Sequence, residues 1–471
     1  MIPMSLAEIA AAVDGALVDA DPAAVVTGSV EFDSRAVGAG GLFAAFAGQR
    51  VDGHDFAAAA VAGGAVAVLG TRPTVAPTIV VDDTLVALGR LARWVVDRLP
   101  HLTTVGITGS SGKTSTKDMV VGLLAGIGAT VGPPGSFNNE LGLPYTVLKA
   151  DPATRFLVLE MGARGPGHIT YLCGIAPPRI AVVVNVGVAH IGEFGSVDAI
   201  AAAKSELVAA LSGDGVAVLN ADDERVRAMA ALAHGSGAAV VLAGEAVDAD
   251  VRAVDVSLDQ RGSASYTLCT PQGRAPVRLR VAGQHQVGNS LLAAAVAGAA
   301  GMPVADLAEA LSRLVGVSTR RMDVFDRADG VTVIDDSYNA NPSSTAAALR
   351  ALVAVGDGRR RVAVLGYMAE LGEQEQEGHR QVGRVAAELG VDRLVVVGEA
   401  AAPIRDGAVA VPNWGGESVV VSDQDAAVAW LRAALRPGDV VLVKGSRYRT
   451  WTVADTLRGE EHTEEHSAVA P

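Results

Sequence analysis

The chain has only two cysteines, Cys173 and Cys269. They provide no disulfide framework, and a reducing compartment fits. A surplus of positive charge is missing as well. With 38 Lys and Arg against 52 Asp and Glu, the net charge is −14, which excludes a nucleic-acid coat, whose first requirement is a basic surface. Anionic nucleotides stay open as substrates, because the local chemistry of a phosphate-binding loop overrides global charge. Long apolar runs are also absent. The chain is 50% hydrophobic with a mean hydropathy of +0.32, but alanine supplies much of this. Uncharged stretches such as 56–70 and 119–139 are broken repeatedly by Gly or Pro. None is the block of about 20 strongly apolar residues that a membrane span needs. The opening MIPMSLAEIAAAVDG lacks a basic region and carries Glu8, so no secretory signal is expected. These absences leave a soluble cytoplasmic protein with no nucleic-acid partner and no membrane insertion, long enough for about three domains.

What is present is organised around 106–117, GITGSSGKTSTK. An apolar run with Leu102, Val105 and Ile107 reads as a strand before it. Met119, Val120, Leu123 and Leu124 read as a helix after it, stopped by Gly126 and Gly128. A strand, a loop of small residues ending in Gly-Lys-Thr, and a helix make a phosphate cradle. Gly109 and Gly112 let backbone N–H groups turn toward phosphate oxygens, and the helix N-terminus adds partial positive charge. Gly109, Ser110, Ser111, Gly112, Lys113, Thr114 and Ser115 are therefore the expected ATP contacts. Lys113 would reach the β- and γ-phosphates, and the Thr114 hydroxyl would ligate Mg²⁺. The loop departs from a strict Walker A motif, which has glycine where this chain has Ile107. An ordinary strand-to-helix turn is the bland alternative.

Ahead of this loop, 1–83 reads as a small α/β unit. Ser5 is placed to cap a helix carrying Leu6, Ile9 and Val13, and short strands are expected at 65–69 and 79–81. Asp33-Ser34-Arg35 and Asp52-Gly53-His54 flank an apolar segment with Phe43 and Phe46; taken alone, they read as turns and a solvated arginine. A helix over 85–99, ending at Pro100, leads into the P-loop strand. From 101 to 316 strands and helices alternate. The apolar run Phe156-Leu157-Val158-Leu159 ends in Glu160, the Walker-B arrangement in which a carboxylate at a strand's C-terminal edge faces Mg²⁺. A buried strand over 180–184 leads toward His190, and a helix over 197–211 holds Lys204. A further strand, over 216–219, precedes Asn220-Ala221-Asp222-Asp223. Parallel α/β sheets bind ligands beyond the carboxyl ends of their strands, which places Glu160, His190 and the P-loop at one site. The alternating stretch 251–281 predicts an antiparallel ribbon, followed by a loop and helix with His285 and Asn289. Beyond 318 come strands at 331–334, 362–365, 394–397, 419–421 and 440–443, separated by Ala- and Leu-rich helices such as 425–435. That pattern predicts a separate doubly wound domain without a P-loop of its own. The acidic tail beyond Glu460 reads as disordered, and its His462 and His466 as solvated rather than metal-binding.

Many short motifs, in this order, resemble those of the Mur ligases, the ATP-dependent enzymes that build the peptide of bacterial cell-wall precursors. They include DSR at Asp33, DGHDF at Asp52, TGSSGKTSTK at Thr108, NNELGLP at Asn138 and EMGARGPGHI at Glu160. NVGVAHIGEFGS at Asn185, AKSEL at Ala203, LNADD at Leu219, GQHQVGN at Gly283, DDSYNANP at Asp335 and KGSR at Lys444 continue the series. The run Tyr338-Asn339-Ala340-Asn341-Pro342 is similar to that of the family member adding D-alanyl-D-alanine. The Tyr-Ala-His and Asp-Asn-Pro-Arg runs typical of the member adding the third residue are missing. Two departures fall near the C-terminus. Tyr367 stands where the family usually has Asp, and Tyr448, Arg449, Trp451 and Thr452 replace small residues and a glutamate after KGSR.

The resemblance implies an α/β protein of three domains. A UDP-sugar-binding domain would occupy 1–83, and a central ATP-binding P-loop domain 84–317, with 84–100 as a linking helix. A C-terminal Rossmann-like ligase domain would occupy 318–456, followed by a tail at 457–471. It implies an amide ligase that uses ATP and Mg²⁺ to join D-Ala-D-Ala to UDP-N-acetylmuramoyl-tripeptide in peptidoglycan precursor synthesis. The route would be an acyl phosphate, with release of ADP and phosphate. Ser34 and Arg35 would hold the uridine nucleotide, and Asn138, Asn139, Asn339 and Asn341 would contact substrates. Asn289 would meet the adenine region, while Arg321 and Asp336 would reach the nucleotide from the third domain. Lys113, Glu160, His190 and Lys204 would be catalytic, and Thr114, Glu160, His190 and Lys204 would place Mg²⁺. Lys204 would be carbamylated by CO₂, which turns a cation into a carboxylate-like ligand. From composition alone Lys204 is a snorkelling lysine and His190 a hydrogen-bonded structural histidine. A monomer is expected. The rivals are a folylpolyglutamate- or cyanophycin-type amide ligase, against which DSR and DGHDF argue, and a P-loop nucleotide-dependent switch or transport ATPase. A switch needs no second Rossmann-like domain.

Overall fold

A computed structural model describes residues 1–48, 51–189, 191–316 and 318–459. Sheets of five, nine and six strands follow one another along these residues, with a further two-stranded pairing of Met4–Ser5 and Val25–Val26. Ser5 caps the helix Leu6–Val13 in a capping box with Glu8, as expected. The five-stranded sheet runs in the order Ala16–Val18, Thr78–Val80, Ala65–Gly70, Gly41–Ala44, Val30–Glu31. The DGHDF segment braces it. Buried His54 meets Asp52 Oδ1 through Nδ1 at 2.6 Å, and its Nε2 accepts from the Thr71 N–H at 2.8 Å, which fixes the tautomer.

Asp83 caps the helix Thr84–Asp97 by accepting from the N–H groups of Leu85 and Val86. Leu88, Leu91 and Val95 on this helix share one apolar core with Leu6 and Ile9 on one side and Leu143, Ile169 and Leu172 on the other. The small N-terminal sheet and the central sheet are thereby joined through a common core.

The nine-stranded sheet is ordered Gly273–Ala282, Ser263–Thr270, Val251–Leu258, Ala239–Gly244, Val216–Asn220, Ile180–Val183, Thr103–Thr108, Phe156–Glu160, Thr130–Val131. Its strands are parallel except for the antiparallel meander at the 251–282 end. The expected ribbon is therefore three strands that extend the main sheet, because Ala239–Gly244, absent from the sequence reading, pairs in parallel with Val251 and Arg252. Successive residues of the central strands enter two different cores. Leu157, Leu159, Ala181 and Val183 face one, and Phe156, Val158, Ile180 and Val182 face the other, so both sheet faces are covered.

The six-stranded sheet repeats this design. Its order is Asp323–Asp326, Thr332–Asp335, Val440–Lys444, Arg361–Leu365, Arg393–Val397, Glu417–Val421, with only the first pair antiparallel. Ile334, Ala363 and Leu442 fill one core, and Val333, Val362 and Val441 the other. Both cysteines are free. Among the described residues no helix is long and apolar enough to cross a membrane.

Candidate active site

The phosphate loop forms where the sequence places it, between the strand Thr103–Thr108 and the helix Lys113–Ala125. Gly112 takes φ +77°, and a Cβ there would lie 2.7 Å from Asn289 Oδ1, so both backbone conformation and close approach require glycine. Buried Asn289 accepts from the Thr116 hydroxyl at 3.3 Å and donates to Gln286 Oε1 at 2.8 Å. It braces the first turn of the P-loop helix and also borders the cleft. Lys113 arches over its own loop, its Nζ donating to the Gly109 carbonyl at 2.7 Å. Burial lowers the Lys113 pKa, and Glu160 opposes that shift. The Ser110 and Ser111 N–H groups are taken up by Asn185, through its backbone oxygen at 3.1 Å and its Oδ1 at 2.9 Å. Asn185 thus sets the shape of the loop. The sequence marked it as a strand end but not as part of the site.

Glu160 is the last residue of Phe156–Glu160, in register with Ile107 of the P-loop strand. Its Oε2 accepts from the Thr114 hydroxyl at 2.9 Å, and its Oε1 accepts from Ser136 Oγ at 2.6 Å and Asn138 Nδ2 at 2.8 Å. Asn138, expected as a substrate contact, therefore orients this carboxylate. A hydroxyl beside a carboxylate fits Mg²⁺, which uses one or two protein oxygens together with substrate phosphates and water. Among the described residues no group of three or more His, Cys, Asp or Glu could hold a metal alone. Across the cleft, Arg321 reaches Thr114 Oγ1 through Nη2 at 3.4 Å, with its guanidinium 4.2 Å above the Tyr338 ring. Its buried Nε has no hydrogen-bond partner. A cationic donor held beside the phosphate loop with unsatisfied capacity suits an anionic ligand.

From the six-stranded sheet, buried Lys444 donates to Asp336 Oδ2 at 2.5 Å and to the Asn339 carbonyl at 2.9 Å. Burial lowers its pKa, and the Asp336 carboxylate opposes that. His285 faces this pair, and burial depresses its pKa as well, so its imidazole is neutral at pH 7. At the opposite rim Arg35 forms a two-pronged pair with Asp33, Nη2 to Oδ2 at 2.7 Å and Nε to Oδ1 at 3.0 Å, and Ser34 lies in the same turn. Three expected substrate contacts have local backbone roles. Asn139 Oδ1 accepts from the Gly142 N–H, Asn339 Oδ1 from Ala340, and Asn341 Oδ1 from Ser344, each at 2.9 Å.

Of the expected site residues placed so far, all but Ser34 and Gly109 border one cleft of about 1820 Å³, which touches residues of all three large units. Basic side chains slightly outnumber acidic ones along it, although the chain carries −14 overall. Lys204 lies on the helix Val197–Ala209 with its side chain buried. Burial, then the neighbouring Lys113 cation, push its pKa down to about 7. Among the described residues no carboxylate pairs with it. His190, His462, His466 and the tail from 460 onward lie outside the described residues.

Comparison with known proteins bears on this cleft. Three family models match in succession: "Mur ligase family, catalytic domain" over 27–100, "Mur ligase middle domain" over 107–297, and "Mur ligase, glutamate ligase domain" over 320–447. The UDP-N-acetylmuramoyl-tripeptide–D-alanyl-D-alanine ligase of Mycobacterium tuberculosis is 49% identical over 506 residues, covering 98% of this chain and 99% of the relative. The Escherichia coli enzyme of the same name is 35% identical, with 95% and 96% covered. Among solved structures, MurF from Acinetobacter baumannii superposes with a TM-score of 0.87 at 32% identity, over 97% of this chain and 99% of that one. MurF ligase from Thermotoga maritima in complex with ADP gives 0.77 at 31%, over 92% and 98%.

Proposed function

The chain belongs to the Mur ligase family, and on that premise we propose that it joins D-alanyl-D-alanine to UDP-N-acetylmuramoyl-tripeptide at the expense of ATP. The observation that carries this reading is the single cleft where Lys113, Thr114 and Glu160 meet Arg321, Asp336 and Lys444. Its far rim holds Asp33 and Arg35. Activating a carboxylate with ATP brings several negative oxygens together, so the site must supply cations and N–H donors rather than a covalent nucleophile.

The tripeptide carboxylate oxygen attacks the γ-phosphorus, the bond to the β-phosphate oxygen breaks, and ADP departs. The dipeptide amine then attacks the acyl carbon and loses a proton, and phosphate leaves with the former carboxylate oxygen. Lys113 and the first-turn N–H groups hold the β- and γ-phosphates, and Arg321 adds charge from the segment that leads into the six-stranded sheet. Thr114 and Glu160 would hold Mg²⁺, which neutralises phosphate charge when bound. Asp33, Ser34 and Arg35 are assigned to the uridine nucleotide, and the domain limits at 83, 317 and 456 belong to the same reading. His190 and Lys204 are assigned to a second Mg²⁺. A buried lysine with a pKa of about 7 and no carboxylate partner among the described residues supports carbamylation: the neutral amine attacks CO₂, an N–C bond forms, one proton leaves, and a carbamate anion results. A monomer belongs to the same reading, and use of ATP supports the cytoplasm.

ADP release tests the function. It should require both UDP-tripeptide and D-Ala-D-Ala. Release that is indifferent to the dipeptide would favour a nucleotide-dependent switch instead.

A further inference from the structure

The helix Val304–Arg313 and the strand Asp323–Asp326 are joined by the linker that connects the nine-stranded sheet to the six-stranded one. Its described residues Leu314, Ser318 and Arg321 run antiparallel along one face of the P-loop helix. Arg321 Nη2 donates to Thr114 Oγ1 at 3.4 Å. The Ser318 N–H donates to Asp118 Oδ2 at 3.1 Å. Leu314 packs so tightly on Gly122 that a Cβ there would run into its side chain. Thr114, Asp118 and Gly122 are four residues apart, one above another on a helix. Three successive turns of the helix that carries the phosphate loop therefore each hold one point of the linker. Beneath it is a small cavity of about 30 Å³, bordered by Met119, Leu279, Leu311 and Leu314, and the buried Ser318 hydroxyl has no partner. The linker is seated at these points rather than packed throughout.

Asp118 has a second attachment. Its Oδ1 pairs with Lys117 Nζ, whose side chain is only 3% exposed. That ammonium also donates to the Pro133 carbonyl at 3.0 Å. Pro133 opens the stretch whose Ser136 and Asn138 hold Glu160. One pair thus ties the loop that orients Glu160 to the linker that carries Arg321, and neither member borders the cleft.

We propose that Lys117 and Asp118 are positioning residues for ligation. They set the register of the linker on the P-loop helix, and through it the seat of Arg321 and the six-stranded sheet against the phosphate site. This rests on the ligase reading above. Substrate binding at the central sheet and chemistry across the cleft then become separable.

The test uses the full-length enzyme with ATP, UDP-tripeptide and D-Ala-D-Ala. Asp118→Ala should lower kcat about tenfold or more, because misplacement by about 1 Å can lose about a hundredfold. The Kd for a Mg²⁺-bound non-hydrolysable ATP analogue should stay within about twofold, since binding and chemistry are separable terms. Asp118→Asn keeps one acceptor, for the Ser318 N–H or for Lys117 Nζ but not for both, and should recover only part of kcat. Gly122→Ala keeps both charges but crowds Leu314. Alanine by itself favours the helix, so a reduced kcat at an undiminished Tm would come from the linker. Should Asp118→Ala fold poorly, Gly122→Ala carries the test alone. The proposal is overturned if the folded variants turn over like wild type and differ only in Tm, or if Asp118→Ala loses nucleotide binding together with kcat. Failure of the wild-type enzyme to ligate would instead refute the ligase reading.

Discussion

Lys204 is buried and Lys113 half-buried; Lys204 feels the Lys113 charge, and Lys113 that of Glu160. For Lys113 the phosphate loop supplies the reason, since an anionic ligand would restore the charge balance that burial removes. Replacing it with alanine should abolish ligation in a protein that still unfolds cooperatively, because one donor to a developing charge is worth about 3 kcal/mol. ADP release and a thermal melt on the same sample check this, and near-normal turnover would sink the loop's assignment. Lys204 makes a prediction of opposite sign for stability. Its pKa is about 7 folded, against 10.5 as its ordinary value. Between those limits the unfolded chain holds a proton that the folded one lacks, so stability rises with pH. At and below pH 7 the penalty for burying the ammonium is fully present. Lys204→Met should therefore be more stable than wild type near pH 7 in CO₂-free buffer without nucleotide. The difference should shrink toward pH 10.5, while activity is lost at every pH. A Met variant less stable than wild type at pH 7 in denaturant titrations would contradict this.

At the scale of elements, much was legible because pattern and chemistry agreed. Phe156–Glu160 is an apolar run ending in an acid and matches its expected bounds. The helix Lys113–Ala125 begins at the Gly-Lys pair and stops at Gly126, as read. Several strands were not legible. Among them, Asp323–Asp326 has aspartate at both ends, as suits an antiparallel edge but not a buried run, Ala239–Gly244 is only partly buried, and Thr130–Val131 has just two residues. The expected asparagines border the cleft and also make local hydrogen bonds, a second role that sequence does not announce. Side chains that line a ligand cleft and side chains that fasten backbone look alike in sequence, and Asn341 does the second by capping the helix Pro342–Val355 with Ser344 in a capping box. Asn341→Ala should cost about 1 kcal/mol of stability. Asn341→Ser, another good cap, should keep it and so isolate any contact with substrate as a change in KM. An alanine variant as stable as wild type in a urea titration would remove the capping role. The loop-shaping role of Asn185 was not legible because its partners, Ser110 and Ser111, are 74 or more residues away in the chain, and no local signal announces such a pairing.

For the whole molecule, the first two sheets share one core through the helix Thr84–Asp97, whereas the third is held by its linker and by contacts across the cleft. Among these the Gly192 N–H donates to the Glu370 carbonyl at 3.3 Å. That arrangement suits a reaction in which one part holds the activated carboxylate and another delivers an amine. Whether an acyl phosphate forms is decided by the fate of the carboxylate oxygen. The most direct measurement uses UDP-tripeptide with ¹⁸O in its terminal carboxylate, turned over with ATP and D-Ala-D-Ala, followed by mass analysis of the released phosphate. An acyl phosphate passes one carboxylate oxygen to phosphorus, so each phosphate released from fully labelled substrate should carry one ¹⁸O. Phosphate without the label, formed at the same rate as the amide product, would contradict the account.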